Sequence, residues 1–229
     1  MAKTLIFGGT TEGRAALLAH PDAIVCVTSI YAARLLPPGT DCRIGRLDVA
    51  AMQSLMLEVQ PEQVIDATHP FAIKVSGNIR TCCSTLNIPC IRVERPVESG
   101  AWRSLVIHVK DADAAANALK DTSGRILLTT GSQTLPVYTG AVSADRLYVR
   151  VLPTMDALKR CQTAGILPAH IIAMQGPFSE AFNASLYDLL DIQVMVTKDS
   201  GAPGGVAEKV LPALARGMDV IMIDRPPTI

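Results

Sequence analysis

The chain has 229 residues, 49% of them apolar and 18% charged, which supplies a sizeable core and excludes a disordered chain. Its 21 basic and 21 acidic residues cancel, and aromatics reach only 4%. The global basic excess of a nucleic-acid or anionic-membrane binder is therefore missing, as are base-stacking platforms.

Short apolar runs recur along the chain, each ending in a turn or polar cluster. They cover 4–7, 24–27, 64–65 and 90–93 in the first hundred residues. Further on they cover 105–109, 126–128, 147–151, 171–174, 194–196 and 220–223. Continuous Val/Ile/Leu runs of this length predict parallel strands buried on both faces. Helical spacing falls between them, in Met52/Leu55/Met56/Val59, Val75/Ile79/Cys82/Cys83 and Ala112/Ala115/Ala116/Leu119. It returns in Phe182/Leu186/Leu189/Leu190 and Val206/Val210/Ala213/Leu214, each set marking one buried stripe. Alternating strand and helix read as α/β, and ten strands suit two Rossmann-like lobes with mainly parallel sheets and an interlobe cleft. The stretch from Glu94 to Arg103 lacks periodicity and contains Pro96 and Gly100, which divides the chain into 1–97 and 98–229.

The six cysteines show no CxxC spacing and lie far from the four histidines, so no metal site is expected and the thiols read as reduced, small core residues. Leu5-Ile6-Phe7 is too short for a signal-peptide core, and no run approaches the ~18 apolar residues of a membrane span. A cytoplasmic location, with neither membrane nor nucleic acid as partner, is the expectation. Ser/His/Asp triads, HExxH and Walker motifs do not occur, which lowers the case for hydrolases, metalloenzymes and P-loop NTPases.

The strongest local signal opens the chain. The strand Leu5-Ile6-Phe7 runs into Gly8-Gly9-Thr10-Thr11-Glu12-Gly13-Arg14 and then a helix. Gly8 and Gly9 allow a tight turn close to a phosphate, Gly13 allows close helix packing, and the helix N-terminus offers N–H groups and a positive dipole end. The spacing departs from G-x-G-x-x-G, and an ordinary tight βα turn is the other reading. An NAD site ends its second strand in an acidic residue. Here Thr28, Ser29 and Tyr31 follow, with Arg34 soon after, a set that suits a 2′-phosphate and favours NADP. Arg34 as a solvated helix residue is the alternative.

Asp66-Ala67-Thr68-His69-Pro70-Phe71-Ala72 closes the run at 64–65, placing His69 where a ligand of an open α/β sheet binds and Pro70 in the first turn of a helix. A structural histidine and helix-capping Asp66 and Thr68 are equally compatible with these residues. Three strand-end clusters mark the second lobe: Thr129-Thr130-Gly131-Ser132, Gln175-Gly176-Pro177-Phe178-Ser179 and Thr197-Lys198-Asp199-Ser200-Gly201. Each alone is a capped turn. Together they place small polar groups, and the cation Lys198, at a ligand-facing edge.

These motifs, in this order over nearly the whole chain, resemble the precorrin-6A reductase family of corrin biosynthesis. Asp66-Ala67-Thr68-His69-Pro70-Phe71-Ala72 is the most specific, and Val220 to Pro226 is similar to the family's last strand, although the tail after Pro226 is short. The resemblance implies a two-lobed enzyme that binds NADPH in its cleft. It reduces one double bond of precorrin-6A, or its cobalt complex, to give precorrin-6B. A polyacid tetrapyrrole is the implied partner, with the protein acting as a monomer or in transient contact with neighbouring pathway enzymes. Under that reading Gly8, Gly9, Thr10, Glu12, Gly13 and Arg14 form the phosphate turn, and Ser29, Tyr31 and Arg34 hold the 2′-phosphate. Thr68, His69, Thr130, Gly131 and Ser132 complete the cofactor set. Gln175, Ser179, Lys198 and Ser200 face the substrate, and Lys198, Ser200 and His69 are the catalytic candidates. Another NADPH-dependent reductase and a non-catalytic NADP-binding sensor are the competing readings.

Overall fold

The computed structural model describes residues 4–227. Thr228 and Ile229, in the short tail after Pro226, lie outside the described residues. Two compact units form, one running to Arg95, with Pro226 and Pro227 grouped with it, the other spanning Pro96–Arg225. Among the described residues no helix is long and apolar enough to cross a membrane.

The first unit alternates strand and helix. Its elements are β1 (Thr4–Phe7), α1 (Thr11–Ala19), β2 (Ile24–Val27), α2 (Ile30–Arg34), β3 (Cys42–Ile44), α3 (Val49–Val59), β4 (Gln63–Asp66), α4 (Ile73–Leu86) and β5 (Cys90–Arg92). The strands form one sheet in the order β3-β2-β1-β4-β5, with every pair parallel. β1, β2 and the last three residues of β4 are buried throughout, which is why their sequences read as continuous apolar runs. Each sheet face has its own core. Leu5, Phe7, Ile24, Cys26 and Val64 pack with Met52 and Met56 of α3 and Ile79, Cys82 and Cys83 of α4. Ile6, Val25, Val27 and Ile65 pack with Leu17 of α1 on the other face. Fully burying a side chain such as Leu5 or Ile6 contributes roughly 1.5–3 kcal/mol.

The second unit continues with β6 (Ile107–Val109), α5 (Ala112–Ala118), β7 (Arg125–Leu128), α6 (Leu135–Thr139), β8 (Leu147–Val151) and α7 (Met155–Thr163). It ends with β9 (Ile171–Ala173), α8 (Glu180–Leu190), β10 (Ile192–Lys198), α9 (Val206–Leu214) and β11 (Asp219–Ile223). Its sheet is also wholly parallel, in the order β6-β11-β10-β7-β8-β9. The α/β class and the two parallel-sheet units are as the alternating pattern implies.

Two details differ from the sequence expectation. β3 is an eleventh strand, short and half-exposed at the sheet edge, with Arg43 at its centre, so it carries no apolar run to announce it. In α8 the buried residues are Asn183 and Tyr187, while Leu189 is 79% exposed. The stripe is rotated because Asn183 finds partners inside, its amide donating to the carbonyls of Ser179 and Glu208.

Candidate active site

In each sheet the strand order reverses once, and ligands of open α/β sheets bind outside the C-terminal strand ends at that point. In the first unit it lies between β1 and β4. The turn after β1 holds Gly8 to Gly13. A Cβ on Gly8 would lie 3.0 Å from the Ala67 carbonyl oxygen and 3.2 Å from Gly13 Cα, and one on Gly13 would lie 3.1 Å from Gly8 O. A side chain at either position would press on backbone and push the start of α1 away from β1. Thr10 caps α1, its hydroxyl accepting from Gly13 N–H at 3.1 Å and donating to Ala67 O at 2.7 Å. One side chain thus ties the turn after β1 to the turn after β4.

Glu12 lies in the first turn of α1 and accepts a hydrogen bond from Arg95 Nη2 at 2.7 Å. Burial would raise its pKa, but the Arg95 hydrogen bond, with help from the backbone and Thr10, holds the carboxyl below its ordinary value. The carboxylate is therefore engaged with a cation. Arg14 Nη2 donates to Thr11 Oγ1 at 3.2 Å. α2 begins beside the glycine turn, where a Cβ on Gly9 would lie 3.1 Å from Ala32 Cβ. Ser29 caps α2 by accepting from Ala32 N–H, and it, Tyr31 and Arg34 are exposed. Sequence reasoning passed over Arg46. The Gly45 N–H donates to Val27 O at 2.9 Å, which sets Arg46 next to the end of β2.

After β4, Asp66 is buried and its Oδ1 accepts from Thr68 N–H (3.1 Å), Thr68 Oγ1 (2.7 Å) and Arg92 Nη1 (2.7 Å). Thr68 Oγ1 also takes a bond from the same Arg92 nitrogen and lies 3.0 Å from Ser76 Oγ. Asp66 and Thr68 therefore stiffen their own turn; neither caps α4, which starts at Ile73, three residues after Pro70. His69 Nδ1 accepts from the Phe71 N–H at 3.2 Å, which sets the neutral ring's proton on Nε2.

In the second unit the strand order reverses between β7 and β10. Thr130, Gly131 and Ser132 follow β7, in this unit rather than the one that carries the glycine turn. Lys198 ends β10 and its Nζ donates to Thr130 O at 2.9 Å, across the reversal point. Burial lowers its pKa, the direction a proton donor needs. Ser200 is buried, its hydroxyl packed against Gly204. Gln175 and Ser179 are exposed at the turn before α8, and Ser179 caps that helix by accepting from Phe182 N–H.

Several charged groups here were not singled out from the sequence. Buried Asp199 pairs with Arg103 Nη2 at 3.1 Å and lies 3.6 Å from Arg225 Nη2. Arg225 also donates to the carbonyls of Asp199 and Pro96. Gly201 has φ +71°, and a Cβ there would lie 2.6 Å from Arg225 Nη2, so glycine fits on both counts. Buried Arg150 donates to Asn183 Oδ1 at 2.7 Å and lies over the Phe178 ring at 4.7 Å, holding the turn that carries Gln175 and Ser179. The signal was an arginine inside the apolar run at 147–151. Lys209 of α9 is buried too, and its pKa falls to about 7. Burial is the main cause, Arg150 adds to it, and Glu208, Glu98 and Asp199 oppose it.

The family model of precorrin-6x reductases (CbiJ/CobK) matches residues 3–229. The chain belongs to this family of oxidoreductases. It is 36% identical to a cobalt-precorrin-6A reductase of Priestia megaterium, over 97% of this chain and 90% of that one. A cobalt-precorrin-6A reductase of Salmonella typhimurium is 35% identical, over 97% and 87%. A precorrin-6A reductase of Mycobacterium tuberculosis is 30% identical, over 99% and 90%. A solved CobK precorrin-6A reductase superposes with a TM-score of 0.78 at 27% identity, covering all of this chain and 90% of that one.

Proposed function

We propose that this chain reduces one double bond of the precorrin-6A macrocycle, or of its cobalt complex, with NADPH, as a step of cobalamin biosynthesis. The observation that carries this reading is the pair of strand-order reversals, one edged by a glycine turn, the other by Lys198. The first fits a dinucleotide. Gly8 and Gly13 let a helix N-terminus approach, Thr10 locks it, and no carboxylate stands at the end of β2 to repel a 2′-phosphate. When bound, NADPH supplies the hydride.

The residues divide the remaining work. Gly9, Thr10 and Gly13 shape the phosphate turn, and Arg95 neutralises Glu12 within it. Ser29, Tyr31 and Arg34, joined by Arg46, surround the 2′-phosphate. Thr68 and His69, on the turn stiffened by Asp66 and Arg92, orient the nicotinamide end. The family resemblance assigns Thr130, Gly131 and Ser132, in the second unit, to the cofactor. Gln175 and Ser179 bind the substrate's edge, whereas the buried Ser200 hydroxyl, packed against Gly204, shapes the turn after β10. Lys198 donates the proton that accompanies the hydride, its Nζ held by Thr130 O.

The test is anaerobic turnover of metal-free and cobalt precorrin-6A. NADPH absorbance falls with at least one of them and stays constant with small carbonyl compounds. NADPH left unoxidised by both tetrapyrroles removes the proposal. Removing Arg34 or Arg46 weakens NADPH by about tenfold to a hundredfold, the worth of one charge-assisted contact, and leaves NADH unchanged.

A further inference from the structure

The first unit carries a pair of thiols with no part in hydride transfer. Strand register aligns Cys90 with Val64 and Arg92 with Asp66, so Cys90 shares the sheet face on which Val64 packs against α4. Cys83 lies on that side of α4 and is 2% exposed. The helix ends at Leu86, its cap Asn87 has a φ of +54° that reverses the chain, and the Ile88 N–H donates to Cys83 O at 2.9 Å. β5 therefore starts against the helix's last turn, which brings Cys90, its first residue, to the end of α4 that carries Cys83. Cys83 is buried and Cys90 is exposed. Cys26 and Cys42 are not equivalent, since register aligns Cys42 with Val25 and puts it on the face opposite Cys26.

We propose that Cys90 is a site of oxidation by hydroperoxides, with Cys83 as its resolving thiol, closing a disulfide between β5 and α4. The Cys90 thiolate attacks one peroxide oxygen. An S–O bond forms, the O–O bond breaks, and the departing hydroxide or alkoxide takes a proton from solvent. Cys83 then gives its proton to solvent and attacks the sulfenic sulfur. The S–S bond forms as the S–O bond breaks, and water leaves. The two thiols lose two electrons and two protons, and the peroxide is reduced to water and water or alcohol.

The surroundings favour the order. The neighbouring Cys83 thiol lowers the Cys90 pKa against partial burial and the Asp66 charge, and Arg80 and Arg92 assist. The same pairing raises that of Cys83, so Cys83 is the poorer first nucleophile.

The experiment treats the purified, reduced chain with hydrogen peroxide and maps its peptides. Peptide 81–92, which carries Cys82, Cys83 and Cys90, loses two hydrogens, and cleavage after Leu86 leaves its halves joined. Cys90→Ser abolishes the loss, Cys82→Ser preserves it, and Cys83→Ser stops at a sulfenic acid that dimedone captures. A cross-link that survives in Cys83→Ser, or Cys42 oxidised as fast as Cys90, overturns the proposal. Should Cys83→Ser not fold, iodoacetamide on the native chain decides. Cys90 is alkylated about tenfold faster than Cys42 at neutral pH, and equal rates overturn the pairing.

Discussion

Lys198 is the residue on which the proposed chemistry turns. Its ammonium is anchored to Thr130 O and half-buried, so its position does not depend on a long flexible stem finding the substrate. Lys198→Ala is expected to lower kcat by roughly 10²–10⁴, the usual worth of a positioned acid. NADPH Kd should stay within a few-fold, because the phosphate turn belongs to another sheet. Lys198→Arg separates charge from proton transfer. Arginine still attracts a carboxylate but does not release a proton near neutrality, so KM recovers while kcat stays low. Steady-state kinetics beside a cofactor titration read both, and an unchanged kcat in Lys198→Ala excludes the role.

At the scale of elements, the start of α1 and the turn after β4 work as one piece. Thr10 bonds Ala67, and a Cβ on Gly13 would press on Gly8. Gly13→Ala should destabilise the first unit by about 1–3 kcal/mol, as overpacking does, and weaken NADPH while substrate KM changes little. Asp66→Ala strips the acceptor from Thr68 and Arg92 together. About 2–4 kcal/mol of stability is expected to go, somewhat less than for a fully buried pair because Arg92 is 20% exposed. NADPH affinity should fall with it, measurable by denaturant unfolding and cofactor titration on the same variant. A variant as stable as the parent would show that solvent replaces the carboxylate without loss. The elements themselves were largely legible. Strands buried on both faces leave continuous apolar runs, and β1, β2, β7 and β10 could hardly be read otherwise. β3 was not legible, because an edge strand of Cys42, Arg43 and Ile44 has no face that must be apolar. The turns that carry the candidate site were legible where glycine or a polar cluster ends a strand. It was hidden where the partner is distant in sequence: Arg103 with Asp199, Arg150 with Asn183, Arg92 with Asp66.

At the scale of the whole molecule, stability and pH are linked through the second unit's core. Val206, Val210 and Ala213 give α9 an apolar stripe, and Lys209 is buried within it. Its neighbours are Arg150 of β8, Tyr187 of α8, whose hydroxyl donates to the Lys209 carbonyl, Asp199 beyond β10, Glu98, and Glu208 on α9 itself. The folded pKa is about 7 against an ordinary 10.5, with burial as the largest cause. Between those values the unfolded chain holds a proton that the folded chain has lost, so unfolding takes up a proton and stability rises with pH. Below about 7 both states are protonated, and the penalty of the buried charge is fully present. Lys209→Met keeps the length and removes the charge. Urea unfolding of both proteins should therefore show wild type gaining on Lys209→Met as pH climbs through the window, with the gap constant below it. A stability difference that ignores pH would mean that the Lys209 amine keeps its proton inside the fold.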